Sequence, residues 1–284
     1  MESIFYKYLR NDKAKSSTIK IIKLRGKIMF SIYHIAWIII SILLICLIER
    51  YLLKKDISIE ELLKICCIVC VASEFIKTLS VMEMVPSADG TKIYPYIDRR
   101  HIPLHLCSLQ IITIFWATFT KNPKTREVLL AFLYPTSIVG AALALAMPTI
   151  FAESILPSQA FTHPLAYQFF LYHSMLIILG LYILLSKKVD LKPKHYLTSM
   201  AILFGLAFLS IYLNSIFADA RYESGVLVSV ENTTNFFFTY DFAFDIGINT
   251  IGKWYLYFCA IAILAFVVIA LFYIPVFKRA KTSK

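Results

Sequence analysis

A cysteine, two histidines and a serine lie close together in residues 101–108, where a polar segment gives way to a long apolar one. Pro103 in this stretch predicts the first turn of a helix, because proline lacks the N–H that such a turn leaves unpaired. Cys107 and Ser108 then lie close to the helix start. The positive end of a helix dipole favours thiolate, the nucleophilic form of cysteine. Cys107 is therefore a candidate nucleophile for covalent catalysis.

A nucleophilic thiol needs a base, and four ionisable side chains are candidates for this role or for supporting it. His105 lies two positions before Cys107, about 200° around the helix, so it is poorly placed as the base. His105 could instead orient a substrate or bond a backbone carbonyl. His173 has the chemistry of a general base for Cys107, and Glu74 or His34 could orient its ring. The structural alternatives are apolar packing for Cys107 and helix-to-helix hydrogen bonds for the others.

The composition indicates that the chain carrying these residues is a membrane protein. Apolar residues make up 59% of the 284 residues, charged residues 17%, and the mean hydropathy is +0.70. Soluble domains average about 45–50% apolar and about 25% charged residues. The net charge of +11 comes from basic residues that flank apolar stretches, where they meet anionic lipid, so we expect no nucleic-acid partner.

The apolar stretches predict an all-α polytopic membrane protein, a single bundle of about seven transmembrane helices. At about 20 residues per span, these are expected at 28–50, 59–81, 103–120, 126–147, 164–186, 195–217 and 254–276. The predicted domains are a basic interfacial or disordered tail (1–27), a helical membrane domain (28–276) and a basic tail (277–284). The acidic, aromatic connection at 218–253 is expected to fold onto the bundle as a structured cap. Seven spans put the two basic termini on opposite sides of the membrane, so charge leaves the orientation open.

Chain alternation places polar groups from five of these helices in one layer. His34, Glu74, Cys107, His173 and Asn214 each lie a few residues inside a helix end on the same side of the membrane. With a rise of 1.5 Å per residue, this layer lies roughly 5–15 Å below the surface. Ionisable residues are costly within a membrane and are functional candidates by default.

Two patterns resemble metal sites, but neither is complete. Cys66, Cys67 and Cys70 lie in mid-span, where small residues more often serve helix packing. His101 and His105 have the i, i+4 spacing of metal ligands, with Glu74 and His173 as conceivable partners, but Pro103 lies between them and no clear third ligand shares their face. We therefore expect no metal ion and no other cofactor.

The segment Leu104-His-Leu-Cys-Ser108, preceded by proline, resembles the P-L-H-L-C signature of the YwaF-type integral membrane family. This bacterial family is related to the animal transmembrane protein 164. The resemblance covers roughly residues 30–275 and includes residues that look like family positions: His34, Glu74, His173, Asn214 and the segment Thr234-Asn-Phe-Phe-Phe238, which contains Asn235. It implies a cysteine-dependent phospholipid acyltransferase with several membrane spans, in the bacterial cell membrane.

The leading hypothesis is an acyltransferase that takes an acyl chain from a phospholipid, holds it as a thioester on Cys107 and passes it to a lysophospholipid. His173 is the expected general base. The expected supporting residues are Glu74, His34, His105, Ser108, Asn214 and Asn235. The alternatives are an intramembrane lipid ester hydrolase, or a non-catalytic membrane protein that binds or transports a lipid or another solute.

Overall fold

The computed structural model describes residues 31–282, except 88, 149, 224, 232–233, 241–246 and 249. The predicted tail at 1–27 lies outside the described residues. Seven long helices dominate the rest, together with the short α5 (Ile150–Glu153): α1 (Ile32–Lys55), α2 (Ile59–Val81), α3 (Leu106–Phe119), α4 (Pro123–Ala146), α6 (Pro164–Leu185), α7 (Pro193–Ile216) and α8 (Ile251–Thr282). Helices α1, α4, α6, α7 and α8 are long and apolar enough to cross a membrane. The predicted all-α membrane fold is thus confirmed.

Helix starts are encoded locally by caps and prolines. The side chain of Ser58 accepts a hydrogen bond from the first turn of α2, and Asn122 does the same for α4. Pro123, Pro164 and Pro193 each occupy the first turn of a helix, where the missing N–H costs nothing.

Helices α4 and α6 form the centre of the bundle, and Gly180 allows them to approach closely. A Cβ atom at Gly180 would lie 2.8 Å from the backbone oxygen of Tyr134 and 2.5 Å from a side-chain carbon of Ile138. Only glycine leaves room for this contact.

Pro135 interrupts the hydrogen bonds of α4, and side chains from two other helices compensate for the loss. Because Pro135 has no N–H, the carbonyl of Ala131 loses its usual partner. That carbonyl accepts hydrogen bonds from the hydroxyls of Ser199 (3.2 Å) and Tyr273 (3.1 Å). These bonds hold α7 and α8 against α4, since a bare carbonyl in a membrane is costly.

Two antiparallel β-hairpins lie in connections where the sequence analysis predicted no strands. Strand β1 (Glu83–Pro86) pairs with β2 (Ile93–Tyr96), and β3 (Asp219–Glu223) pairs with β4 (Val226–Glu231). The Arg99 guanidinium joins the two connections: it donates to the backbone oxygen of Phe217 at 2.8 Å and pairs with Asp219 at 2.9 Å. Both hairpins therefore lie at the same end of the bundle.

Candidate active site

Cys107 is the second residue of α3, closer to the helix start than the sequence predicted. The expected start at Pro103 is wrong, because His105 is extended (φ −71°, ψ 155°) and the helix begins only at Leu106. The first N–H groups of a helix have no intrahelical acceptor. The His105 side chain does not cap them. The backbone N–H groups next to Cys107 can therefore donate hydrogen bonds to a negatively charged oxygen.

Helices α4 and α6 both reach Cys107. The Cys107 sulfur lies 3.5 Å from where a Cβ atom on Gly140 would be, so the thiol faces the backbone of α4 at this glycine. From α6, the Tyr172 hydroxyl donates a hydrogen bond of 2.7 Å to the Cys107 carbonyl. The start of α3 is thus held against two central helices.

His173, the residue after Tyr172, is buried in a state that suits a base. Its Nδ1 lies 2.7 Å from the backbone oxygen of Phe169. Since a carbonyl oxygen only accepts, Nδ1 carries the proton, and Nε2 of the neutral ring keeps a lone pair. Among the described contacts the thiol of Cys107 and this ring are not hydrogen-bonded to each other. Catalytic hydrogen bonds often tighten only around a substrate.

Gln110 adds a polar group one helical turn below Cys107, and the sequence analysis did not single it out. Its amide nitrogen donates to the Thr136 hydroxyl at 3.0 Å, while that hydroxyl donates to the Phe132 carbonyl. The Gln110 Oε1 atom is buried and has no hydrogen-bond partner in the described part of the chain. Gln110 lies three positions after Cys107, and this spacing predicts that the two side chains are neighbours on one helix face.

Glu74 forms an ion pair with Lys77 on the same helix, at 3.2 Å. Within the described residues no contact joins the Glu74 carboxylate to His34 or His173, the two rings it was expected to orient. Lys77 interacts electrostatically with three histidines of this region: His101, His105 and His173. Lys77 was also missed, although its i, i+3 spacing from Glu74 predicts a shared helix face.

His101 lies in the short 3₁₀ turn Arg99–His101, before α3 and outside the membrane spans. Burial lowers the pKa of His101, and the neighbouring cations Arg100 and Lys77 lower it further. The ring is therefore neutral around pH 7. His101 and His105 do not belong to one helix, so their i, i+4 spacing does not place them on a shared helix face.

His34 and Asn214 are buried, but each is engaged in a structural contact. The His34 Nε2 donates to the Leu145 carbonyl at 2.8 Å, which ties α1 to the end of α4. The Asn214 side chain donates to the Phe236 carbonyl and the Thr239 hydroxyl, and accepts from the Phe236 N–H. Asn214 thereby holds part of the connection after α7 against the bundle.

That connection covers the start of α3. The Phe236 ring packs edge-on against His105, with 5.0 Å between ring centroids. The Asn235 side chain accepts from the Tyr240 N–H, which shapes the covering segment. Ser108 is half-buried in the first turn, beside Cys107.

The cysteines of α2 are packed into the bundle. Cys66, Cys67 and Cys70 are buried, and the Cys67 thiol lies 3.2 Å from the Thr118 hydroxyl of α3. Within the described residues, no group of three or more His, Cys, Asp or Glu side chains could hold a metal ion.

Comparison with known proteins gives one match. The sequence model of the TMEM164 family matches residues 29–273, which include the whole bundle apart from the end of α8. No curated protein and no solved structure matches the chain.

Proposed function

This chain belongs to the TMEM164 family, and we propose that it is an integral membrane acyltransferase that acts on phospholipids through a thioester on Cys107. The observation that carries the proposal is the Tyr172–Cys107 hydrogen bond of 2.7 Å. It joins the helix of the nucleophile to the helix of the base at the residue next to His173.

The first half of the reaction forms the acyl-enzyme. The Cys107 thiol gives its proton to Nε2 of His173, and the thiolate attacks the carbonyl carbon of a phospholipid ester. The negative charge on the carbonyl oxygen is stabilised by backbone N–H groups of the first turn of α3, at Cys107 and Ser108. When the C–O bond breaks, the leaving lysophospholipid oxygen takes the proton from the His173 imidazolium.

The second half regenerates the thiol. A lysophospholipid hydroxyl gives its proton to His173 and attacks the thioester carbonyl, and the Cys107 thiolate leaves and takes the proton back. Water in place of the lysophospholipid would give a hydrolase, so the acceptor alone separates these two activities.

The electrostatics around Cys107 support a substrate whose headgroup contains a phosphate. Lys77 is a partly buried cation near His101, His105 and His173, and Glu74 pairs with it. A phosphate could replace the Glu74 carboxylate as the partner of Lys77. The start of a helix near the membrane surface is also where the ester groups of a phospholipid lie.

The test is direct detection of the acyl-enzyme. Purified protein in lipid nanodiscs is given phosphatidylcholine or phosphatidylethanolamine with an alkyne-tagged acyl chain, and the protein-bound tag is measured before and after hydroxylamine. We expect a hydroxylamine-labile adduct in the wild type and in Cys46→Ala, a control at an exposed cysteine of α1. Cys107→Ala should carry no adduct. A wild-type protein without an adduct from either lipid, or an adduct that persists in Cys107→Ala, would overturn the proposal.

The non-catalytic alternative makes the opposite prediction for a conservative variant. If Cys107 only contributes to a lipid- or solute-binding site, Cys107→Ser should retain the full function, since the side chains are similar in size. A covalent mechanism requires loss of the hydroxylamine-labile adduct in that variant, because an ester on serine resists hydroxylamine at neutral pH.

A further inference from the structure

A second candidate site is an apolar groove on the side of the bundle where α3 and α7 flank α4. Its volume is about 580 Å³, within the roughly 300–1,000 Å³ of small-molecule sites. Its lining includes Leu109 and Trp116 of α3, Val128 and Phe132 of α4, and Leu206 of α7. Helices α3 and α7 both pack on α4, which forms the floor of the groove.

This groove is separate from the candidate active site. Leu109 and Trp116 lie two and nine positions after Cys107, which places them about 200° and about 180° around α3 from the thiol. Cys107 itself faces Gly140 and the interior of the bundle. The groove therefore opens on the opposite face of α3, towards the lipid.

One end of the groove carries a positive charge. Lys124, in the first turn of α4, lines the groove there and has no ion pair among the described residues. Two cations in the same region are paired: Arg126 with Glu60, and Lys192 with Glu127. Lys124 is thus an ammonium group without an ion-pair partner among the described residues, at the membrane-surface end of the apolar groove.

The length of the groove corresponds to one leaflet. From Lys124 to Phe132 the floor helix rises about 12 Å, and half of a hydrocarbon core about 30 Å thick is about 15 Å. An acyl chain that follows this floor places its headgroup at the level of Lys124. The apolar lining, the single lining cation and the length of the groove together fit a ligand with an apolar chain and an anionic headgroup.

We propose that this groove binds one acyl chain of a glycerophospholipid from the leaflet on the Lys124 side, with the lipid phosphate on Lys124. The bound lipid fills the gap between α3 and α7, so its binding also stabilises the pairing of both helices with α4. This site is on the opposite face of α3 from Cys107 and does not depend on the chemistry proposed there.

Native mass spectrometry of the delipidated protein, titrated with phosphatidylglycerol or with diacylglycerol of the same chains, tests the site. Val128→Trp fills the groove and should weaken binding of both lipids by at least about tenfold. Lys124→Gln removes one charge-assisted hydrogen bond and should weaken phosphatidylglycerol binding by about tenfold without affecting diacylglycerol. Unchanged binding of phosphatidylglycerol in Val128→Trp would overturn the proposal.

Matched controls separate this site from other surfaces and from the proposed catalysis. Val267→Trp adds the same bulk on the exposed face of α8, and Lys64→Gln removes an exposed cation of α2; both should bind as the wild type does. Cys107→Ala should also bind both lipids normally. If Cys107→Ala alone reduces binding while Val128→Trp does not, the bound lipid is the substrate at the thiol and the groove is empty.

Discussion

The hydroxyl of Tyr172 donates a hydrogen bond of 2.7 Å to the backbone carbonyl of Cys107. This contact fixes the first turn of α3 against α6. Tyr172 is the residue before His173, the proposed base. The hydrogen bond connects the helix of the candidate nucleophile to the helix of the proposed base, and covalent catalysis requires these two groups to be held in a defined geometry.

Tyr172→Phe should reduce the rate of acyl-enzyme formation by about tenfold or more, because the first turn of α3 loses the contact that positions it. The loss of one hydrogen bond should lower the free energy of unfolding by only about 0.5–1.5 kcal/mol. Tyr182→Phe is a matched control, since the Tyr182 hydroxyl of the same helix donates to the Ile57 carbonyl far from Cys107. If both variants lose activity equally, Tyr172 has only a structural role.

Substitution of the two buried histidines should have different effects. His173→Gln removes the proposed base and should lower acyl-enzyme formation by about 10²–10⁴-fold. His34→Gln breaks the bond to the Leu145 carbonyl and should destabilise the protein by about 1–3 kcal/mol. The measurements are adduct formation and thermal unfolding in the same nanodiscs. Normal adduct formation in His173→Gln would exclude this residue as the base.

Lys77→Gln should raise the pKa of His101, because it removes one of the cations that lower this pKa after burial. The folded-state pKa lies below the unfolded value of about 6.5, so protonation favours the unfolded state. The segment around His101 is then destabilised as the pH falls below about 6.5. In Lys77→Gln this acid destabilisation should be smaller.

The measurement for Lys77 is NMR titration of the His101 ring in the wild type and the variant. Lys92→Gln, in the first hairpin, is the control, because Lys92 is not among the charges that act on His101. An unchanged His101 titration in Lys77→Gln would show that Lys77 lies too far away to act on this region.

Gly180→Ala should destabilise the bundle by about 1–3 kcal/mol, because the added methyl would overlap the Tyr134 backbone oxygen and Ile138. Gly205→Ala is the matched control: a Cβ atom there meets nothing within 4 Å, and alanine favours the helix by about 0.5–1 kcal/mol. The thermal unfolding temperature in nanodiscs checks both. A Gly180→Ala protein as stable as the wild type would show that α4 and α6 can move apart without cost.

Local sequence patterns did not predict the β-hairpins, and they predicted the wrong start for α3. The strands of the first hairpin are only four residues each, too short for a clear alternation of apolar and polar residues. Proline at position 103 predicted a helix start, yet the helix begins at Leu106. The extended His105 packs against Phe236, a residue far along the chain, and such a contact leaves no mark in the local pattern.

The sequence by itself determined the membrane class and the seven helices. These follow from composition and chain alternation, because a backbone in lipid must satisfy its own hydrogen bonds and a helix rises by a fixed amount per residue. Only the tertiary structure decided which polar groups meet. It tied His34 to Leu145 and Asn214 to the covering segment, and brought Tyr172 and Gly140 to Cys107. A helix forms from the residues of one segment, whereas the partner of a side chain depends on how neighbouring helices rotate and pack, and no single helix encodes that.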